Sequence, residues 1–234
     1  MIPFRDDVPA KQFPVITVLI ILANLGAFLY QLTLPPPELE RFIFQFGVVP
    51  AELLSVGQSL TAHPVSVPLS IVTSMFLHGG WLHLIGNMWY LWVFGDNVED
   101  RMGHSRFLFF YLISGVVAGS VHVFFNPDSL LPTIGASGAV AGVLGAYLLS
   151  YPFARILTII PLFLFWPVVE LPALLVLGFW FLLQLINGAV AAAVDTGEVG
   201  GVAWWAHIGG FVAGMILIGI FAKRPVQRYS WGGR

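Results

Sequence analysis

The chain has 234 residues, of which 58% are hydrophobic and 9% charged, with a mean hydropathy of +0.87 and a formal net charge of -2. Soluble domains carry about 25% charged residues, so this composition excludes a water-soluble globular enzyme and a disordered tail. Ten Lys and Arg against twelve Asp and Glu leave no basic field for nucleic acid, and the absence of cysteine excludes a disulfide framework and thiolate metal sites.

A bilayer crossing takes roughly 20 apolar residues. Taken in chain order, the apolar segments predict an all-α, polytopic membrane helical bundle of six transmembrane helices, a single membrane domain over residues 1–234. Val15–Tyr30 is the first span, between Lys11 and the Pro35-Pro36-Pro37 run. A cleaved signal peptide is the plainer reading of that segment, but no small-x-small cleavage site follows it. Residues 33–81 are too polar to cross and apolar enough, with Phe42, Phe44, Phe46, Met75 and Phe76, to form an outer loop partly embedded in the interface.

The second span begins near Trp81 and is expected to stop at Gly95-Asp96; the third is Phe107–Phe125, ended by Asn126-Pro127-Asp128. The fourth is Gly135–Tyr151, the fifth Leu171–Val194 and the sixth Val202–Ala222, followed by a cytoplasmic tail over 223–234. Ile156–Val169 is apolar but short and broken by Pro161 and Pro167, so it is expected to be re-entrant or interfacial.

Charge tests the count. With both termini in the cytoplasm, Arg5, Lys11, Arg101, Arg106, Arg155, Lys223, Arg224, Arg228 and Arg234 lie inside and only Arg41 outside. That asymmetry is what the positive-inside rule asks of six spans. Counting Ile156–Val169 as a seventh would place the C-terminal basic cluster outside.

A polar side chain in hydrocarbon is costly unless paired, which makes it a functional candidate. His83 and Asn87 sit at i and i+4 near the start of span two, on one helical face. Ser137 opens span four in Gly135-Ala136-Ser137-Gly138, and His207 lies early in span six in Ala206-His207-Ile208-Gly209-Gly210. Spans two, four and six all start from the outer face, so the four residues are expected at one shallow depth.

Gly138, Gly142 and Gly145 in span four, with Gly210 and Gly214 in span six, are small residues at spacings that let membrane helices approach closely. Such an approach could bring the Ser137 hydroxyl to a nitrogen of His207, the minimal geometry of a base-activated nucleophile. Each residue alone has a plainer reading: Ser137 as a packing serine, His207 as a structural histidine, Asn87 as interhelical glue.

His63, His78, His104 and His122 take the plainer reading, and Asn24 reads as a packing hydrogen bond. No carboxylate is placed to complete a triad: Asp96, Glu99, Asp100 and Glu170 fall on the inner side, Asp195 and Glu198 in an outer loop. The pair reads as a dyad.

These motifs, in this order and with six spans, resemble the rhomboid family of intramembrane serine proteases over almost the whole chain. The resemblance implies cleavage of single-pass or polytopic membrane protein substrates near their outer end by Ser137, with His207 as base. It also implies that His83, Asn87 and the Ser137 backbone N–H stabilise the oxyanion, without metal or cofactor. Two positions depart from well-known bacterial members: Leu69-Ser70 stands where a loop Trp-Arg pair is found, and Ala141 where an aromatic residue packs beneath the histidine. How the loop is braced and how the His207 ring is held are thereby opened. A catalytically silent member that binds membrane clients is the rival reading; a transporter should show an internal repeat, and none is found. Short loops and no targeting peptide suggest a prokaryotic plasma membrane.

Overall fold

A computed structural model describes residues 1–54, 67–193 and 202–223. His63, the loop Asp195–Gly201 and the tail beyond Lys223 lie outside the described residues. Helices dominate: α1 (Val15–Thr33), α2 (Pro36–Phe46), α3 (Pro50–Leu54), α4 (Val67–Thr73), α5 (Trp81–Met102), α6 (His104–Phe125), α7 (Ser137–Ser150), α8 (Ala173–Ala193) and α9 (Trp204–Phe221). A single 3-10 turn, Ser74–Phe76, follows α4.

The helices α1, α6, α8 and α9 are each long and apolar enough to cross a membrane. The pair formed by Leu69–Phe76 and Trp81–Met102 meets the same requirement together, bent by 96° at its break. The apolar α7 is shorter, at 14 residues, and almost wholly buried. The protein is a helical, polytopic membrane bundle.

Three features depart from the sequence reading. The second span does not stop at Gly95-Asp96: α5 runs on to Met102, where Gly103, with a φ of +81°, turns the chain into α6. The polar run from Asp96 to Asp100 is instead the last turns of the helix, where Asn97 reaches the Val8 carbonyl at 3.0 Å. Among the described residues of 33–81 there are three short helices, which the sequence reading did not predict within this outer segment.

The third departure is a small sheet in an otherwise helical fold, order β1-β2-β3, from Ile2–Asp6 (β1), Arg155–Ile159 (β2) and Val168–Pro172 (β3). The segment Ile156–Val169 is therefore the core of a hairpin, antiparallel in register from Arg155 opposite Pro172 to Ile159 opposite Val168. Its prolines fall in or beside the connection and at the hairpin's edge, where no ladder N–H is lost. The N-terminal strand pairs antiparallel with β2, Ile2 opposite Ile159 and Asp6 opposite Ile156.

Hydrogen bonds show which helix ends lie together. At the sheet end, Glu99 of α5 accepts from the Ile16 and Thr17 N–H groups (2.9 and 2.8 Å) and from Thr17 Oγ1 (2.8 Å) at the start of α1. The Lys223 N–H just beyond α9 donates to the Arg101 carbonyl at 3.1 Å, and the Ala173 N–H of α8 to Ala154 at 2.8 Å. Tyr147, near the end of α7, donates to Asp6 Oδ2 of β1. So α5, α7 and α9 finish at the end where α1, α6 and α8 begin. It follows that α5, α7 and α9 all start at the opposite end, which collects Ser137, His207 and His83.

The tightest packing is between α7 and α9. A Cβ on Gly210 or Gly214 would run into the backbone carbonyls of Gly138 or Gly142. The two helices meet backbone to backbone, with Gly145 likewise against the Phe211 carbonyl.

Candidate functional site

Ser137 is the first residue of α7 and His207 the fourth of α9. The glycine contact between these helices leaves little distance for the side chains to cross: Ser137 Oγ and His207 Nε2 lie 2.8 Å apart. His207 is buried, at 8% exposure. The N–H groups of the first turn of a helix have no partner within it, and α7 has no side-chain cap at this end.

Gly135 carries the chain into α7 with a φ of +129°, a conformation that L side chains rarely adopt. Its N–H donates to the Ser74 carbonyl at 2.9 Å. A Cβ there would fall 2.7 Å from His83 Nε2 and 3.8 Å from Asn87 Nδ2. His83 and Asn87 are thus directed at the segment leading into Ser137. The Gly79 N–H donates to His83 Nδ1 at 3.4 Å, which leaves the ring proton on Nε2, the nitrogen facing Gly135. Asn87 Nδ2 is buried and has no hydrogen-bond partner among the described residues.

The other ring nitrogen of His207 is also engaged. His207 Nδ1 lies 2.8 Å from Oε1 of Gln184 on α8, a residue the sequence reading passed over. The signal that could have found it is the one used for the other four, a polar side chain inside an apolar span. Trp180 sits one turn before Gln184, its ring 5.8 Å from the imidazole at 36°, and Trp204 lies edge-on at 6.2 Å. Ala141 is fully buried in α7. The His207 ring is therefore held from α8 and from its own helix.

Of the remaining histidines, His78, His104 and His122 lie among the described residues. The His78 backbone is clamped by Gln31, whose Oε1 accepts from the His78 N–H (3.0 Å) and whose Nε2 donates to its carbonyl (3.1 Å), while its ring packs edge-on against His83. His122 Nε2 is 2.9 Å from Thr133 Oγ1, and His104 pairs with Glu99. Asn24 donates to Ile20 in its own helix at 2.8 Å. Ser70, in the departing loop pair, is buried and Leu69 is exposed. Glu170 forms an exposed ion pair with Arg155 at 3.2 Å, at the sheet end. Among the described residues, no three His, Asp or Glu side chains are grouped to hold a metal ion.

A polytopic helical membrane protein with a hydroxyl bonded to an imidazole at one end of the bundle defines the class. Residues 66–224 match the Rhomboid domain, and the chain belongs to the rhomboid family, whose members are generally intramembrane serine proteases. It is 34% identical over 171 residues to "Rhomboid protein 1, mitochondrial" of Saccharomyces cerevisiae, covering 70% of this chain and 44% of that protein. It is 32% identical over 169 residues to "Rhomboid-like protease 5" of Toxoplasma gondii, covering 70% and 17%. "Rhomboid-like protein 11, chloroplastic" of Arabidopsis thaliana is 29% identical over 163 residues, covering 66% and 52%. The chain matches about half or less of the length of these curated relatives.

Proposed function

We propose that this protein is an intramembrane serine endopeptidase that cuts transmembrane substrate helices near their outer end. The 2.8 Å contact between Ser137 Oγ and His207 Nε2 carries the reading. Ser137 Oγ attacks the scissile carbonyl as its proton passes to Nε2. The Oγ–C bond forms and the carbonyl electrons move to oxygen; the oxyanion then reforms the carbonyl, the C–N bond breaks, and His207 gives the proton to the leaving amine. The oxyanion is received by His83 Nε2–H, the unpartnered Asn87 Nδ2 and the Ser137 N–H at the open start of α7; losing one such donor typically costs about a hundredfold or more in rate.

The acyl-enzyme must be hydrolysed, so the serine needs water. Fourteen residues of α7 span about 21 Å, against a hydrocarbon core of about 30 Å. A helix of that length, ending level with the sheet end of the bundle, leaves Ser137 submerged but short of the far surface. A cavity lined by Ser74, His122, Thr133 and Ser137 reaches the same level. Six crossings, by α1, α5, α6, α7, α8 and α9, then put the sheet end and both termini in the cytoplasm and the serine toward the other side. The protein is an integral membrane protein. The yeast relative is named mitochondrial and the Arabidopsis one chloroplastic, and all three are eukaryotic, so they give the expectation of a prokaryotic plasma membrane no support.

A helical peptide group is hydrogen-bonded and shielded, so substrates with Gly or Pro near their outer end should be cut preferentially. The test is labelling by a fluorophosphonate together with cleavage of a model transmembrane substrate. Wild type should label and cut; Ser137→Ala and His207→Ala should do neither. Cleavage by Ser137→Ala refutes the assignment. Wild type that neither labels nor cuts a panel of substrates favours a silent, client-binding member of the family.

A further inference from the structure

Gln184 interrupts an apolar run on α8 from Ala173 to Ile186. It is 6% exposed, and burying an amide without partners costs about 2 kcal/mol or more. Both ends of this amide are used. Nε2 donates to the Trp180 carbonyl one turn earlier at 3.1 Å, and Oε1 lies 2.8 Å from His207 Nδ1.

These two bonds fix a direction. A backbone carbonyl has no hydrogen to give, so the nitrogen end of the amide must face Trp180 and the oxygen end must face the imidazole. An amide oxygen only accepts, so Nδ1 must donate. A neutral imidazole carries one ring proton, so Nε2 presents a lone pair. That lone pair is the one 2.8 Å from Ser137 Oγ. The other tautomer would set an N–H against the hydroxyl and could not take its proton. Trp180 and Trp204 fix the plane of the ring, but a ring face does not distinguish the tautomers, and Ala141 offers neither a ring nor a polar atom.

We infer that Gln184 is a positioning residue for the base, fixing His207 as the Nδ1–H tautomer and aiming Nε2 at Ser137; the inference rests on the serine-protease reading above. When His207 becomes an imidazolium, the same Nδ1–H···Oε1 bond becomes charge-assisted and strengthens. Gln184 therefore favours the transition state as well as the resting alignment, and touches neither substrate nor nucleophile.

The experiment uses the full chain in bicelles with Gln184→Met, which keeps length without the acceptor, and Gln184→Glu, which restores an acceptor with charge. Nitrogen NMR of histidine-labelled protein reads the tautomer, with the His207 signals assigned by their loss in His207→Ala. Wild type should show Nδ1–H with Nε2 bare. Gln184→Met should lose that preference and fall about tenfold to a hundredfold in kcat, with KM within about twofold. Gln184→Glu should recover most of kcat and move the acid limb of the pH–kcat profile upward by about one unit, because a carboxylate stabilises the imidazolium. His83 and His122, the ionisable side chains that act on His207 from α5 and α6, are common to every variant. A Gln184→Met protein with the wild-type tautomer and kcat overturns the inference. So does an equal loss in both variants with the tautomer unchanged, which marks Gln184 as a strut. Wild type that neither labels nor cuts overturns the protease reading instead. In that case a tautomer change in Gln184→Met still upholds the amide's hold on the ring.

Discussion

Gly135 concentrates two constraints in one residue. Its φ of +129° penalises any side chain, and a Cβ would press on His83 Nε2 at 2.7 Å. Gly135→Ala should therefore cost about 1–3 kcal/mol of backbone strain and displace His83. The expected outcome is a fluorophosphonate labelling rate down by about tenfold or more, with thermal melting showing the protein still folded. At this scale the polar residues were readable because hydrocarbon makes each of them expensive: Ser137, His207, His83 and Asn87 announce themselves against an apolar background. Gln184 carries the same signal, but its pairing with His207 was not readable. Gln184 lies 23 positions away in sequence, in a span with no motif, and only the crossing of α8 with α9 brings its oxygen to Nδ1.

Among the elements, the contact of α7 with α9 sets the alignment of serine and histidine. Gly214 has no room for a methyl group against the Gly142 backbone, whereas Gly219, two residues before the end of α9, has open space around it. Gly214→Ala should destabilise the protein by about 1–3 kcal/mol and reduce labelling, because α9 must move away from α7. Gly219→Ala should leave melting temperature and labelling unchanged, and a comparable loss in both would mean that helix contact is not the cause. The small-residue spacing made this contact legible. The β-hairpin was not, because the run from Ile156 to Val169 is apolar save for Thr158 and lacks the polar-apolar alternation that marks a strand. Its third strand comes from Ile2–Asp6, about 150 residues earlier in the chain. The true end of α5 was hidden too: Asp96, Asn97, Glu99 and Asp100 resemble a loop until the α1 N–H groups that Glu99 receives are known.

For the molecule as a whole, the sheet end acts as a common anchor, and Asp6 makes that anchor sensitive to pH. Burial pushes its carboxyl up to about 7, with the Asp96 charge adding to the rise and the Tyr147 hydroxyl bond opposing it. Folded Asp6 thus keeps its proton where the unfolded chain, near 3.8, has lost it. Its contribution to stability is full below about 4 and is lost as pH rises toward 7, at a slope of at most about 1.4 kcal/mol per unit. Melting temperatures of wild type should fall over that window relative to Asp6→Asn. A difference between the two proteins that is independent of pH would show that Asp6 is ionised in the fold. The bundle's class, its charge asymmetry and the level of the polar residues could be read from composition and spacing. The tie between the N-terminus, the hairpin and α7 could not, since it rests on single hydrogen bonds between segments far apart in sequence.

The amide of Gln184 belongs to α8, whose outward surface of Leu175, Phe179, Leu182 and Ile186 faces away from the bundle. If α8 swings aside to admit cargo from the lipid, the oxygen leaves the imidazole with it, and the ring is free to turn over its proton. On the proposed protease reading, passage and chemistry would then exclude one another, as in a door interlock whose blade is armed only once the door has shut.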